Sequence, residues 1–177
     1  MMLFPRSGSF FKLPASYVQK LFGVTLVGLG TFIAILTICL AAEGTGEMWI
    51  IASFGATCVL VFGFPAGPFS KPRNVIGGHF LASLIGLTFL TFLGPGWIPM
   101  AAATATVVMV MILTDTVHPP AGSNALVIFL STPGWSFLLF PTLAGACAIL
   151  LTACLYWKVI ELIKDSRSAK IVNRSET

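Results

Sequence analysis

Six continuously apolar segments divide this chain and limit what it can fold into. A helix rises about 1.5 Å per residue, so about 20 residues cross the hydrocarbon core of a bilayer, which is about 30 Å thick. A transmembrane β-barrel would need strands in which apolar and polar residues alternate, and these segments do not alternate. We therefore predict an all-α integral membrane protein. The six segments cover residues 21–42, 49–64, 75–93, 97–114, 121–131 and 137–160.

The composition supports the same interpretation. The chain has 177 residues, of which 56% are hydrophobic and 9% are charged. Soluble proteins contain about 25% charged residues, so an ordinary soluble enzyme domain, a disordered chain and a nucleic-acid binder are excluded. We expect one small helical domain whose partner is the lipid bilayer, with no nucleic-acid partner and no room for a soluble catalytic domain.

The fifth apolar segment, residues 121–131, is too short to cross a bilayer alone. Its 11 residues would cover about half of the hydrocarbon core. We predict about six transmembrane segments, the fifth being short and broken at its start by His118-Pro119-Pro120. The alternative is four spans plus a re-entrant hairpin made of the fourth and fifth segments. Both arrangements give an even number of crossings.

Basic residues predict the orientation. They precede the first segment, lie between the second and third at Lys71 and Arg73, and follow the sixth. Because cytoplasmic loops are enriched in Lys and Arg, we expect all three stretches, and both termini, in the cytoplasm of a bacterium with the chain in its inner (plasma) membrane. The predicted organisation is a cytoplasmic N-terminal segment, a transmembrane helical domain and a basic cytoplasmic tail, at residues 1–20, 21–160 and 161–177.

A polar stretch joins the fourth and fifth segments and is the first candidate binding site. Ionisable groups at membrane depth cost several kcal/mol and normally face the bundle interior. The two prolines end one helix and can begin the next, which would leave free N–H groups from Ala121, Gly122 and Ser123 at a positive dipole end. Such a helix start can bind a small anion. The candidate residues are Thr114, Asp115, Thr116, His118, Pro119, Pro120, Ala121, Gly122, Ser123 and Asn124.

A second cluster lies between the second and third segments. Pro65-Ala66-Gly67 recurs as Pro120-Ala121-Gly122, and both connections open to the same side in the predicted topology. Paired Pro/Gly-interrupted segments are typical of transporter sites, so we predict a possible parallel internal repeat. For the basic residues and His79, ordinary topology-setting or interfacial roles are equally open. The second candidate set is Pro65, Ala66, Gly67, Lys71, Arg73, Asn74 and His79.

Small residues at four-residue spacing mark a close helix contact in the third segment. Gly78, Ala82 and Gly86 form this stripe, which lets two helices approach closely. Packing within the chain is the favoured interpretation and a subunit interface is the alternative. Since so small a fold has little surface with which to enclose a pathway, we also expect a homo-oligomer.

The sequence around these motifs resembles the HPP family of small integral membrane proteins. The similarity rests on residues 116–122, which contain His118-Pro119-Pro120, on Gly55-Ala56-Thr57, and on residues 64–68 and 72–79. It extends from about Trp49 to Trp157. The resemblance implies transport, because members in cyanobacteria and chloroplasts are described as nitrite transporters. It also implies four spanning helices, which differs from the six predicted above.

Three classes of function remain open from the sequence. The first is a transporter or channel for a small inorganic anion, with nitrite as the leading candidate, without cofactor or metal. The second is a protein that moves protons or cations with Asp115, and the third is a structural membrane subunit. An intramembrane enzyme using Asp115 and His118 is disfavoured, because the prolines interrupt their helix and no further catalytic group accompanies them.

Overall fold

The computed structural model describes residues 17–46 and 50–175, with side chains described for 20–46 and 50–166. The predicted N-terminal segment, residues 1–20, thus lies almost wholly outside the described part. Six α-helices follow one another in this described part, which confirms the all-α prediction. They are α1 (Tyr17–Thr45), α2 (Ser53–Gly63), α3 (Pro72–Leu93), α4 (Trp97–Leu113), α5 (Asn124–Ser131) and α6 (Ala144–Ser175).

Short turns of other helix types connect the α-helices. In the described residues, three 3-10 helices and one π-helical turn lie at Pro68–Ser70, Pro119–Ser123, Trp135–Leu138 and Leu139–Leu143. Proline stands in the first turn of α3 and of the 3-10 helix before α5, where a missing N–H costs nothing. Gly94, with φ of 75°, ends α3, because only glycine adopts that conformation without strain.

Among residues 17–46 and 50–175, three helical stretches are long and apolar enough to cross a membrane: Lys20–Thr45, Pro72–Leu93 and Trp135–Ser166. The other helices are shorter. The 11 residues of α2 rise about 16 Å and the 8 residues of α5 about 12 Å, roughly half of a hydrocarbon core or less. The second apolar segment was expected just to reach across, but its helix is shorter than the segment because the chain leaves helical geometry at Phe64, before Pro65.

The central element is α3. It packs against α4, α5, α6 and the 3-10 helix Pro119–Ser123, while α1 packs against α2 and α6. One apolar core joins α1, α2 and α6 through side chains such as Ile38, Phe62 and Trp157. A second joins α3, α4 and α5 through Ala82, Val107 and Ala125.

Large apolar side chains cover the outside of the bundle. Leu113 and Ile98 on α4 are 82% and 84% exposed, and Leu36, Leu130 and Leu151 on three other helices are exposed as well. In water such a surface would cause aggregation, whereas lipid chains solvate it. The exposed face therefore agrees with a bilayer as the surroundings.

The small-residue stripe of α3 makes contacts inside the chain. A Cβ atom on Gly86 would lie 3.1 Å from the Cα atom of Ala125 on α5 and 3.0 Å from Cδ1 of Ile128. A Cβ atom on Gly78 would lie 2.9 Å from Cβ of His118. The stripe thus allows α5 and the chain before it to approach the backbone of α3.

The two polar connections meet at one end of α3, which we call the basic end because Lys71 and Arg73 lie there. Arg73 donates a hydrogen bond to the carbonyl of Thr114, and Asn74 Nδ2 donates to the carbonyl of Val117 at 2.8 Å. This contact agrees with the prediction that both connections open to the same side. The internal repeat itself stays a prediction.

Substitution of Gly86 tests the close approach of α3 and α5. Gly86→Val should lower the free energy of unfolding by about 1–3 kcal/mol, because an added side chain must push the helices apart. Gly28→Val is the matched control, since nothing lies within 4 Å of the Cβ position of Gly28 on α1 and the change in helix propensity is the same. Unfolding of both variants in detergent, followed by circular dichroism, measures the difference. Equal stabilities would contradict the packing.

Candidate functional site

Seven polar side chains are buried together where α2, α3 and the start of α5 meet. Each is at most 3% exposed, and hydrogen bonds join them into one cluster, which we call the polar network. Its members are Ser53, Thr57, His79, Ser83, His118, Asn124 and Thr142. In the described part of the chain, every buried side-chain nitrogen and oxygen atom has a hydrogen-bond partner.

His118 enters the network from the connection between α4 and α5. It precedes the 3-10 helix Pro119–Ser123 in an extended conformation, with φ of −135°, which Pro119 favours in the residue before it. Its Nδ1 lies 2.8 Å from the carbonyl oxygen of Phe69, and its Nε2 lies 3.0 Å from the hydroxyl oxygen of Thr57. The His118 side chain therefore links the connection between α4 and α5 both to the connection between α2 and α3 and to α2 itself.

His79 enters from α3, two turns after the helix begins. Its Nε2 lies 3.0 Å from the same Thr57 hydroxyl, and its Nδ1 lies 3.1 Å from Nδ2 of Asn124. The two imidazole rings are 5.1 Å apart between centroids, and the ring of Phe54 meets His79 edge-on at 5.2 Å. Thr57 thus bridges the two histidines of the chain.

Asn124, the first residue of α5, joins three elements. Its Oδ1 accepts a hydrogen bond from Ser53 at 2.8 Å, and its Nδ2 donates to Ser83 Oγ at 2.9 Å. Ser83 is in turn 2.9 Å from the Thr142 hydroxyl in the π-helical turn. The Asn124 side chain therefore holds the first residue of α5 against both α2 and α3.

The polar network extends from the basic end towards the middle of the bundle. Phe69 precedes α3, whereas Ser83 is about 16 Å along that helix from Pro72, which is about half of a hydrocarbon core. Polar side chains at this depth normally serve a site or a pathway, because they are expensive to place in lipid.

The connection that carries His118 is held to the start of α3 by further polar contacts. Besides the bonds from Arg73 and Asn74, the Thr114 and Thr116 hydroxyls lie 2.8 Å apart. Gly77 and Gly78 make room, because Cβ atoms there would lie 3.0 Å or less from atoms of Thr116 and His118. These contacts position His118 without belonging to the network.

The predicted site residues divide into three groups. His79, His118 and Asn124 are in the polar network, and Arg73, Asn74, Thr114 and Thr116 support it. Asp115 is exposed and has a positive φ of 52°. Both nitrogens of His118 bond elsewhere, so these contacts leave no acid–base pair with Asp115. Of the rest, Pro65, Pro120 and Ala121 are buried, Gly67, Gly122 and Ser123 are half-buried, and Ala66, Lys71 and Pro119 are exposed.

The expectation of free backbone N–H groups is wrong for Ala121. Its N–H donates to the carbonyl of His118 at 3.0 Å, and the N–H of Asn124 donates to the carbonyl of Ala121. The reason is that the chain first forms a 3-10 helix, whose tighter bonds use donors that an α-helix start would leave free. Side chains, rather than a bare helix start, therefore define the site.

Four members of the network were missed as site residues: Ser53, Thr57, Ser83 and Thr142. Thr57 entered only through the motif that carries the family resemblance. A signal was present, since Ser53 and Thr57 are four residues apart in one apolar helix and His79 and Ser83 are four apart in another. Residues at that spacing share a helix face. Within residues 17–46 and 50–175, no three His, Cys, Asp or Glu side chains form a group that could hold a metal ion.

Removal of the Asn124 amide tests the network. Asn124→Ala should lower the free energy of unfolding by about 1–3 kcal/mol or more, because buried groups of Ser53, His79 and Ser83 each lose a partner. Ser131→Ala on the same helix is the control: its exposed hydroxyl bonds only the carbonyl of Val127, so the change should stay within about 0.5 kcal/mol. Unfolding in mixed micelles measures both. A loss for Asn124→Ala no larger than that of the control would contradict the network.

Comparison with known proteins agrees with this architecture. Two transmembrane proteins of Dictyostelium discoideum are similar to the chain, one with 36% identity over 112 residues and one with 29% over 137 residues. These alignments cover 59% and 71% of this chain but 39% and 44% of the relatives, so the chain spans about two fifths of their length. No solved structure matches it significantly. The family model described as HPP, transmembrane region, matches residues 17–165, and the chain therefore belongs to the HPP transmembrane family.

Proposed function

We propose that this membrane protein transports a small inorganic anion, with nitrite as the first candidate, and that the anion binds at the polar network. The observation that carries the proposal is the chemical character of the network. Its members are hydroxyls, an amide and two imidazoles, buried inside a bundle of apolar helices. Hydroxyls and amides donate hydrogen bonds to anion oxygens, and an imidazole can add a positive charge.

The distribution of acids supports an anion over a cation. Ion sites for cations use carboxylates or rings of carbonyls, and none of the seven network residues is an acid. The acids whose side chains are described, Glu43, Asp115, Glu161 and Asp165, are all exposed. The alternative in which Asp115 binds a cation within the membrane thus has less support than the anion.

The basic end provides an entrance of suitable charge. Lys71 and Arg73 are exposed there, close to Phe69, whose carbonyl bonds His118. Positive charge at the opening of a low-dielectric site raises the local concentration of anions. An anion collected there would meet His118 first and Asn124 and Ser83 deeper in the bundle.

The fully bonded network favours a carrier that changes conformation over a permanently open pore. Each buried side-chain nitrogen and oxygen atom in the described residues already has a hydrogen-bond partner. An anion that binds among them would therefore replace some of these bonds. The short α5 and the connection that carries His118 are the elements whose displacement would open them. Hydrogen bonds to the anion would then replace the lost ones.

The remaining parts of the proposal concern the setting. We place both termini in the cytoplasm and the protein in the plasma membrane of a bacterium, because the basic stretches predict that orientation. We propose a homo-oligomer, no cofactor and no chemical reaction. The nitrite assignment rests on the family resemblance, since the Dictyostelium relatives are named only as transmembrane proteins.

Flux into proteoliposomes tests the function. Purified protein should carry nitrite faster than empty vesicles do. His118→Gln should reduce that flux about tenfold or more, because the variant cannot place a positive charge beside the anion. Asp115→Asn is the control and should keep the flux, since that side chain is exposed outside the network.

Two outcomes would contradict the proposal. Folded protein that carries neither nitrite nor nitrate above the empty-vesicle rate would exclude an anion transporter of this kind. Loss of flux in Asp115→Asn with full flux in His118→Gln would move the site from the network to Asp115 and would favour the cation alternative.

A further inference from the structure

The hydroxyl group of Thr57 has more hydrogen-bond partners than it can donate to. Its oxygen lies 3.0 Å from His79 Nε2, 3.0 Å from His118 Nε2 and 3.1 Å from the carbonyl oxygen of Ser53. A hydroxyl has one hydrogen to donate and two lone pairs with which to accept. The choice among these partners is therefore set by where the histidines carry their protons.

The contact with Phe69 fixes the tautomer of neutral His118. A carbonyl oxygen can only accept, so Nδ1 of His118, 2.8 Å from that of Phe69, carries a hydrogen. In neutral His118 the Nε2 atom is then bare and needs a donor. The Thr57 hydroxyl is the group within hydrogen-bond distance, and it donates to His118.

The orientation of the Asn124 amide fixes the tautomer of His79. The Nδ2 group of Asn124 is 3.5 Å from the carbonyl oxygen of His79, and Oδ1 accepts from Ser53. Reversing the amide would require the hydrogen of neutral His79 on Nδ1, and both Nε2 atoms would then be bare beside the single hydrogen of Thr57. Nδ2 therefore donates to Nδ1 of His79, and the proton of neutral His79 sits on Nε2 and points at Thr57.

The network can accept one more proton without moving a heavy atom. If a proton binds Nε2 of His118, that nitrogen donates to Thr57, and the Thr57 hydrogen turns to the carbonyl of Ser53. Thr57 then accepts from both histidines, and every group is still paired. A second proton has no such place, because Nδ1 of His79 faces an N–H donor of Asn124 and a second cation would lie 5.1 Å from the first ring.

We propose that His118, Thr57 and His79 form a binding site for a single proton, which is carried on Nε2 of His118, with Thr57 as the group that reorients. The role of this proton rests on the proposed function: its positive charge would neutralise the bound anion during passage through the membrane. The proton comes from water on the loading side, forms one N–H bond and leaves to water on the other side, so anion and proton move together.

Other charged groups do not take over this role. The titratable groups on the elements packed around His118 are Cys58 beside Thr57 on α2, His79 and Arg73 on α3, Lys71 before α3, and Asp115 in its own connection. Of these, Lys71, Arg73 and Asp115 are exposed, and Cys58 is a buried thiol. Asn124 limits the path, because an amide does not pass a proton on, so transfer beyond His79 requires a conformational change.

Nitrogen-15 NMR of histidine-labelled protein tests the proton site apart from any transport. The chain has only two histidines, so an untagged sample gives one set of signals for each. At about pH 8 we expect His118 protonated at Nδ1 and His79 at Nε2. On titration from there towards about pH 4, His118 should begin to be doubly protonated before His79 does.

Single-histidine variants assign the signals, and two threonine variants probe the switch. Thr57→Ser keeps the hydroxyl and should keep the tautomer pattern. Thr57→Val should change the tautomer pattern, because Nε2 of His118 no longer has a hydrogen-bond donor. Thr37→Val is the control, since its exposed hydroxyl bonds only the carbonyl of Ile33 on α1. Identical tautomers in the two histidines, double protonation of His79 first, or two histidines that stay neutral throughout would each overturn the site.

Flux measurements separate this inference from the function on which its use depends. With a pH indicator inside the vesicles, nitrite entry above the empty-vesicle rate should bring about one proton per anion. Anion flux without protons, in protein with the expected NMR pattern, would overturn coupling but leave the transporter. The NMR pattern without any anion flux would uphold the proton site and refute the anion transporter.

Discussion

The structure depends on the rule that a polar group inside a bilayer must find its partner within the protein. A single hydroxyl, that of Thr57, is where this rule is hardest to satisfy, because two imidazoles and a carbonyl lie around it at hydrogen-bond distance. Unpaired groups there would cost several kcal/mol each. The positions of α2, α3 and the start of α5 follow from the need to keep this group and its neighbours paired.

The same constraint explains why a protein of lipid-facing helices tolerates two helices that are too short to cross. The connections that follow α2 and precede α5 interrupt the α-helices with extended backbone and short 3-10 turns. Such backbone is stable at membrane depth only where it is enclosed by protein. His118 bonding the Phe69 carbonyl and Asn74 bonding the Val117 carbonyl provide that enclosure. Glycines on α3 let the connection come close enough to form these bonds. The connection that interrupts the helices, the hydrogen bonds that hold it and the polar network therefore depend on one another.

Much of the fold could be predicted from the apolar segments, because hydropathy reports directly on helices in lipid. The site was predicted less completely. His118 and Asn124 were found because they flank a proline pair. The prediction of a free N–H group at Ala121 was wrong, since no local pattern shows that the chain would form a 3-10 helix first. Thr57 and Ser83 were missed as site residues because a hydroxyl in an apolar helix usually donates to the carbonyl of the residue four positions earlier, as those of Thr88 and Thr104 do here. Only the packing of three helices distinguishes these two groups of hydroxyls.

A double-mutant cycle measures most directly whether the network is one connected unit. Thr57→Val and His79→Leu should each destabilise the protein, because each leaves a buried partner unpaired, and the double variant should lose less than the sum of the two. The account predicts a coupling free energy of about 0.5–3 kcal/mol in unfolding by mixed micelles, as found for residues in direct contact. Strictly additive losses would show that the hydroxyl and the imidazole are not bonded, and would contradict the network from which site and function were inferred.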